Sequence, residues 1–163
     1  MEKYIKNLLL EAEQGNASAQ NELGDCYYYG EGVEEDYEEA VRLYKLAANQ
    51  GNNYAQNNLG NCYYNGEGVE QDYEEAVKWF RLAASQEDAD AQNYLGICYS
   101  NGEGVEQDYE EAVRLYKLAA NQGNNYAQYN LGDCYYKGEG VEQDYKEAAK
   151  WYREAANGGD ASA

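Results

Sequence analysis

The feature that most constrains this chain is a repeat of 36 residues that runs through its whole length. The four cysteines, Cys26, Cys62, Cys98 and Cys134, stand 36 residues apart. A glycine two residues before each cysteine and a leucine three residues before it keep the same interval. Periods of this size are typical of solenoids, in which each repeat is one supersecondary unit that stacks on its neighbours.

The period divides the 163 residues into four full copies and two partial ones. We expect a single repeat domain over residues 1–163. Its parts are a half-repeat helix at 1–18, full repeats at 19–54, 55–90, 91–126 and 127–160, and the truncated start of a fifth copy at 161–163.

The first half of each copy has the pattern of an amphipathic helix. In the second copy, Ala55, Leu59, Cys62 and Tyr63 follow the spacing of one apolar helical face. Asn52 stands just before this face, and asparagine is a good N-cap because its side chain accepts a hydrogen bond from a first-turn N–H. Asparagine or aspartate holds the same place in every copy.

The second half of each copy predicts another helix. Gly66 ends the first helix, since glycine reaches positive φ without steric strain. Asp72 and Glu75 have the spacing of a capping box, which begins the second helix. Its expected buried face consists of Ala76, Phe80, Ala83 and Ala84.

A glycine is expected to close the second helix in three copies, at Gly51, Gly123 and Gly159. The second copy has Glu87 at this place. A left-handed conformation at Glu87 would cost roughly 1–2 kcal/mol. The sequence therefore predicts local strain there, with a bent or loose junction between the second and third copies.

The full repeat resembles a known family. Its pattern is A-x-x-x-L-G-x-x-Y-x-x-G-x-G-V-x-x-D-Y-x-x-A-x-x-W-x-x-x-A-A, which is similar to the Sel-one-like repeat, a relative of the tetratricopeptide repeat. The resemblance implies an all-α fold, an α-solenoid of antiparallel helix pairs in a right-handed superhelix, with the first helices lining a concave surface. It also implies a scaffold or adaptor that holds other proteins.

The charge balance limits the kinds of partner. The chain has 12 Lys and Arg against 31 Asp and Glu, a net charge of −19, which argues against nucleic acids and anionic membranes. A neutral or basic protein remains compatible. The start, MEKYIKNLLLEAEQGN, is too polar for a signal peptide, and with the unpaired cysteines this favours a cytoplasmic location. A mature secreted form would look the same.

The residues that enzymes need are largely missing. Histidine, the commonest general base, is absent, as is threonine. The only hydroxyl nucleophiles besides tyrosine are Ser18, Ser85, Ser100 and Ser162, and no histidine can activate them. We expect no enzymatic activity and no cofactor.

The cysteines and the acidic loops invite a metal-site hypothesis that their spacing does not favour. Equivalent cysteines are offset by the step between packed helices, about 8–10 Å, whereas a disulfide needs Cα atoms within about 7 Å. Structural zinc needs closely spaced ligands. The loop GEGVEQDYEE lacks the ligand spacing of an EF-hand. We expect buried thiols and no metal. We expect the acidic residues to stabilise helix N-termini and to form ion pairs with a basic residue four positions later, as Glu38 with Arg42.

The differences between copies point to a binding surface. The first and third copies differ at only five of 36 positions, and four of these lie in the first helix. A fixed framework with a varied inner face is what peptide or protein recognition requires, although neutral drift on an exposed helix face would also vary it. We assign an extended peptide or protein ligand to this face, with candidate residues Asn21, Asp25, Tyr28, Asn57, Asn61, Tyr64, Asn65, Asn93, Tyr94, Ile97, Asn101, Tyr129, Asp133, Tyr136 and Lys137.

Two features of this set suggest the ligand. Asn21, Asn57 and Asn93 would form a ladder of donors and acceptors for an extended backbone, and the tyrosines add amphipathic contact area. Lys137 is the only basic member, so the expected segment is neutral to basic.

Two other hypotheses remain open. The near-identical copies and the missing residue types would also suit a consensus-type or engineered repeat protein with no native partner, although a recent duplication gives such copies as well. The last helix pair could also bind another chain, which predicts weak self-association into an end-to-end array.

Overall fold

The chain is all-helical in the computed structural model, which describes residues 2–160 and contains nine helices and no strands in that range. The truncated fifth copy predicted at 161–163 lies outside the described residues. The chain separates into two compact units, Met1–Gln86 and Glu87–Ala163, and each is described by itself.

Each repeat forms an antiparallel pair of helices, as the sequence predicts. The first unit contains α1 (Glu2–Glu13), α2 (Ala17–Tyr29), α3 (Tyr37–Asn49), α4 (Asn53–Asn65) and α5 (Tyr73–Ser85). The second unit contains α6 (Ala89–Asn101), α7 (Tyr109–Asn121), α8 (Asn125–Lys137) and α9 (Tyr145–Asp160). The first helices of the four repeats are α2, α4, α6 and α8, and α1 is the half-repeat.

The predicted caps of the first helices are confirmed. The Asn52 side chain accepts a hydrogen bond from the Ala55 N–H at 2.9 Å. At the other end, Gly66 has φ 74°, and its N–H donates to the Cys62 carbonyl. Equivalent side chains cap the remaining first helices, namely Asn16, Asp88 and Asn124.

The second helices begin at the predicted aspartates, but the capping box is only half formed. The Asp72 carboxylate accepts from the Glu75 N–H at 3.0 Å. The Asp72 N–H donates to the Tyr63 carbonyl instead of to Glu75, and the Glu75 carboxylate lies 2.7 Å from Lys78 Nζ. The ion pairs of these second helices therefore join residues three apart rather than the four that the sequence suggested, as also at Glu39–Arg42 and Glu111–Arg114.

The two helices of a repeat approach closely at a glycine. A Cβ atom at Gly60 would lie 2.6 Å from Cδ1 and Cε1 of the fully buried Phe80 ring. The ring therefore packs directly against the backbone of α4. The same glycine–aromatic pairs recur at Gly24 with Tyr44, Gly96 with Tyr116 and Gly132 with Tyr152.

The cysteines are packing residues, as expected. All four are buried and free. Cys62 packs with Leu59 and Tyr44 in the first unit, and Cys134 packs with Leu131 in the second. Burial raises the pKa of the Cys62 thiol to about 12 and that of Cys134 to about 11, so neither forms a thiolate at neutral pH.

In each of the first three repeats a buried glutamine accepts from an exposed one and so joins helices, a feature that the sequence analysis missed. Gln56 Nε2 donates to the Ala48 carbonyl at 3.2 Å, and Gln56 Oε1 accepts from Gln86 Nε2 at 2.8 Å. The same side-chain bond joins Gln50 to Gln20 and Gln122 to Gln92. The 36-residue recurrence of these glutamines was the signal that could have revealed them.

The fourth repeat breaks this pattern, and one predicted helix end is wrong there. Gly158 stands at the place of the second glutamine, and Gln128 Oε1 is buried with no hydrogen-bond partner within residues 2–160. The helix α9 has 16 residues instead of 13 and continues through Gly159 to Asp160. Gly51 and Gly123 each lie in a turn beside a glutamine that bonds to another helix. No such glutamine precedes Gly159, and the expected turn does not form there.

Glu87 is confirmed as a strained residue. Its φ is 64°, the only positive value at a non-glycine position in the described part of the chain. The equivalent Gly51 and Gly123 have φ 90°. The bend or looseness expected at this junction stays a prediction.

Candidate binding surface

The candidate residues lie on the first helices of both units, with different degrees of exposure. In the first unit Asn65 is exposed, Asn57 is buried, and the half-buried candidates are Asn21, Asp25, Tyr28, Asn61 and Tyr64. In the second unit Asn93 is buried, and the half-buried candidates are Tyr94, Ile97 and Asp133. The exposed candidates of the second unit are Asn101, Tyr129, Tyr136 and Lys137.

The asparagines do not form the open ladder that the sequence suggested. Asn57 and Asn93 are only 9% and 5% exposed. Asn93 Oδ1 accepts from Asn130 Nδ2 at 2.9 Å, and Asn21 Oδ1 accepts from Asn58 Nδ2 at 3.1 Å. These amides therefore join the first helices of successive repeats within each unit instead of facing a ligand.

Part of the variation between copies has an internal cause. The Tyr44 hydroxyl donates to Asp25 at 2.8 Å, and the Tyr152 hydroxyl donates to Asp133 at 2.6 Å. The third copy has Ile97 at this position, which packs against the core of the second unit. The residue type at this position is thus constrained by contacts within the helix pair as well as by any ligand.

Four of the tyrosine candidates make contacts within the fold but differ in exposure. The Tyr28 hydroxyl donates to Glu67 Oε2 at 2.5 Å, and the Tyr64 ring packs 5.1 Å from the Tyr73 ring. Tyr129 and Tyr136 are each 54% exposed. Their rings also pack within the fold, at 5.4 Å from Tyr152 and 5.3 Å from Tyr145. Their exposed area can in addition contact a ligand.

The polar candidates at the ends of the first helices lie beside acidic side chains. Asn65 Nδ2 donates to Glu67 at 3.2 Å, and Asn101 Nδ2 donates to Glu103 at 3.1 Å. Lys137 Nζ lies 3.5 Å from Asp133. The two asparagines use their N–H groups in these bonds, which leaves their side-chain oxygens as the groups that could accept from a ligand.

A sequence profile of the Sel1 repeat matches four consecutive segments, 17–52, 53–88, 89–124 and 125–160. The chain belongs to the Sel1 repeat family. Proteins of this family are generally protein-interaction scaffolds and are typically not enzymes. The profile begins two residues before our repeat boundaries, at the start of each first helix.

Solved structures support a helical repeat solenoid. A protective antigen of uropathogenic Escherichia coli with an SLR fold is 42% identical, with a TM-score of 0.89 over 95% of this chain and 33% of the antigen. A Sel1 repeat protein from Oxalobacter formigenes is 38% identical, with a TM-score of 0.87 over 94% of this chain and 63% of that protein. Helicobacter pylori cysteine rich protein B is 22% identical, with a TM-score of 0.60 over 80% of this chain and 93% of that protein.

The chain spans about a third of the length of the Escherichia coli antigen. No curated protein matches the chain at a significant level.

Positive charge is absent from most of the first-helix surface of these Sel1 repeats. Of the 12 Lys and Arg residues, Lys137 alone lies on a first helix or on the loop that follows one. Those loops carry Glu67 and its equivalents as well as the capping aspartates. The first-helix side of each Sel1 repeat is therefore the side that attracts cations.

Other kinds of site find no support within residues 2–160. No group of three or more metal-ligating side chains lies close enough together there to hold an ion. None of the helices in this range combines the length and the apolar character that a membrane span needs.

Proposed function

We propose that this chain is a non-enzymatic interaction scaffold that binds an extended, neutral to basic protein segment on the first helices of its Sel1 repeats. The observation that carries the proposal is the placement of large exposed side chains at the positions that differ between copies. Tyr29, Tyr129 and Tyr136 are examples, and the second helices of the first and third copies are identical.

The chemistry of this surface favours such a ligand. A tyrosine ring supplies a large amphipathic contact area and loses little conformational entropy on binding. The acidic loops next to the rings would speed the encounter with a basic segment, since charge complementarity acts mainly on the association rate. Asn57 and Asn93 are not part of the proposed contact surface because they are buried.

Site-specific photo-crosslinking tests the proposal. A benzophenone amino acid placed at Tyr29 or Tyr136, which are 66% and 54% exposed, should capture partner proteins from a lysate. Leu46 and Leu118, each 42% exposed on the second helices, are the matched controls. Crosslinks that fall equally on the leucines would contradict the first-helix assignment. No crosslinked protein at any position would favour an engineered chain without a native partner.

Weak self-association is a second candidate, and a groove in the second unit supports it. The groove has a volume of about 730 Å³ and is lined mainly by Tyr126, Tyr129, Tyr152 and alanines of α9. In the first unit, the equivalent surface of α3 is covered by the Ala55 and Leu59 face of α4.

A second copy would have to offer a face like that of α4. The corresponding face of α2 is covered by α1, through Ile5 and Leu8. Pairing with α2 would therefore require α1 to detach. Light scattering over a dilution series measures the outcome, and a molar mass of 18.4 kDa at every concentration would rule self-association out.

A further inference from the structure

A small polar cavity in the first unit borders the exposed contact surface described above, since Tyr29 belongs to both. Its volume is about 50 Å³, and it is lined by Tyr28, Tyr29, Tyr44, Asn58 and Asn61. A single water needs about 10–15 Å³ by this kind of measure, so the cavity can hold a small polar head group together with part of its stem.

The cavity lies beside a carboxylate that has no counter-ion. Asp25 accepts hydrogen bonds from the Tyr44 hydroxyl at 2.8 Å, from Asn58 Nδ2 at 3.1 Å and from Asn21 Nδ2 at 3.3 Å. Tyr44 and Asn58 line the cavity, so the carboxylate lies directly behind these two side chains. None of the basic side chains in the described chain pairs with it. Burial raises the pKa of the Asp25 carboxyl, and the negative charges of Glu22 and Glu31 raise it further. A cation in the cavity would relieve this unfavourable environment.

The fourth repeat shows which cation fits beside this carboxylate. Asp133 is the equivalent of Asp25, and it accepts from the Tyr152 hydroxyl in the same way. Lys137 Nζ lies 3.5 Å from Asp133. Lys137 stands at the position that Tyr29 holds in the first repeat, so the first repeat has the carboxylate but lacks the ammonium.

The third repeat and the helix after it keep the equivalents of Tyr44 and Asn58, Tyr116 and Asn130, but the third repeat lacks the carboxylate and both tyrosines of the first helix. It has Ile97 in place of Asp25, and Ser100 and Asn101 in place of Tyr28 and Tyr29. Only two other positions distinguish the first repeat from the third. The substitutions that separate these copies are thus concentrated on the carboxylate and the two rings of the cavity.

The remaining walls suit an ammonium group. The Tyr28 and Tyr29 rings lie 4.9 Å apart with an angle of 77° between their planes, and such rings attract cations. The Asn61 side chain has no hydrogen-bond partner within residues 2–160, so its oxygen can accept from a bound donor. An ammonium brings three donors, and the Asn61 oxygen can accept a hydrogen bond from one of them. The negative charge of Asp25, just behind Tyr44 and Asn58, attracts the same group.

We propose that this cavity, the Asp25 pocket, binds the ammonium group of a lysine side chain. The inference rests on the proposed function in one respect, namely that the lysine belongs to the bound segment. Lysine suits the pocket better than arginine because an ammonium is compact and a guanidinium is a wide planar fork.

The test is an NMR titration of the whole chain with N-acetyl-lysine N-methylamide, which keeps the ammonium and carries no other charge. Saturable shifts of the Asn58 and Asn61 side-chain amides are expected. Asp25→Asn should weaken the affinity about tenfold or more, because it removes the negative charge that attracts the ammonium. Asp133→Asn is the matched control and should leave the affinity unchanged.

A second variant guards against a local folding defect. The combination Asp25→Ile, Tyr28→Ser and Tyr29→Asn places the third repeat's residues on the first, opposite an identical second helix. It should melt as cooperatively as the parent by circular dichroism and lose the lysine-induced shifts.

Several outcomes would overturn the pocket. They are equal shifts with the neutral Nε-acetylated probe, unchanged affinity in Asp25→Asn, or tighter binding of the arginine analogue. If the lysine probe causes no saturable NMR shifts in the unchanged protein while crosslinks still form at Tyr29, the pocket is refuted and the scaffold proposal is retained. Probe binding with crosslinks equally on Leu46 would refute the first-helix scaffold and leave the lysine pocket standing.

Discussion

Gly158 removes from the fourth repeat a side chain that the other three repeats use to join their helices. In those repeats a glutamine donates to a second, buried glutamine at 2.7–2.8 Å. In the fourth repeat the buried Gln128 Oε1 has no partner in the described range, and a Cβ at Gly158 would lie 3.9 Å from it. An unpaired buried acceptor costs about 1–3 kcal/mol.

Gly158→Gln should therefore stabilise the protein. Replacing a helical glycine contributes up to about 1 kcal/mol, and pairing the Gln128 oxygen adds about 1 kcal/mol. A total of about 1–2 kcal/mol corresponds to a rise in Tm of roughly 2–8 °C for a chain of this size. Thermal unfolding followed by circular dichroism measures it.

The matched variant Gly158→Ala separates the two contributions. It improves the helix but supplies no amide, so it should give only the smaller part of the gain. If Gly158→Gln is no more stable than Gly158→Ala, the glutamine bond does not form and the assigned cause is wrong.

Single side-chain partners were the least predictable feature of this molecule. In the sequence, the residue at the Asp25 position varies between copies and Asn21 recurs in the next two copies. The exposure of both side chains was inferred from helical spacing alone. The structure pairs Asp25 with Tyr44 and Asn21 with Asn58. These contacts depend on the rotation of one helix about its axis relative to the next, and a spacing of 3.6 residues per turn does not specify that rotation.

At the scale of helices, the glycine in the middle of each first helix sets how closely the pair packs. Glycine in a helix interior costs about 1 kcal/mol relative to alanine. The close approach of Phe80 to Gly60 explains why alanine does not take its place. The gain from packing a whole ring against the backbone of α4 outweighs the lost helix propensity.

Gly60→Ala should destabilise the protein in spite of its better helix propensity. The new methyl would lie 2.6 Å from the Phe80 ring, so α4 and α5 must separate. Overpacking of this kind costs about 1–3 kcal/mol, which urea denaturation can measure.

A double-mutant cycle with Phe80→Leu serves as the control. Leucine removes the ring atoms that the methyl would meet, so the two changes together should cost less than the sum of their separate effects, by about 1 kcal/mol. Strict additivity would mean that the loss of stability does not come from contact with the ring.

The helices themselves were predictable, because their signals are local. Each first helix has an asparagine or aspartate just before its apolar face and a glycine just after it. Both residues act within a single helical turn, so they can be recognised from the sequence, and these caps are confirmed. The end of α9 was wrong because Gly159 was judged by its own type alone. The turn at this position also uses a glutamine bond to another helix, which Gly158 cannot make.

At the scale of the whole molecule, the 36-residue period and the caps were enough to predict repeated helix pairs, and the resemblance of the repeat pattern predicted the family. The right-handed superhelix and its concave face remain predictions. Curvature accumulates from small rotations between repeats, and these depend on packing details that the repeat pattern does not encode. Glu87, with its left-handed backbone at the start of the second unit, is one such detail.

The net charge of −19 acts on the molecule as a whole and gives the last prediction. Repulsion among unbalanced charges destabilises a compact state. Raising NaCl from 0.01 to 0.15 M shortens the screening length from about 30 Å to about 8 Å. The free energy of unfolding should therefore rise, by about 1 kcal/mol or roughly 2–4 °C in Tm. The surface ion pairs oppose this only weakly, since exposed pairs contribute little.

The same salt should have the opposite effect on the lysine probe. Its attraction to Asp25 and to the neighbouring Glu22 and Glu31 is weakened by screening, so its affinity should fall while Tm rises. KCl at matched ionic strength should reproduce both trends, because screening does not depend on which monovalent cation is present. Stability that falls with salt would show that the ion pairs outweigh the repulsion. An affinity that does not change with salt would show that the probe binds through its apolar stem and not through its charge.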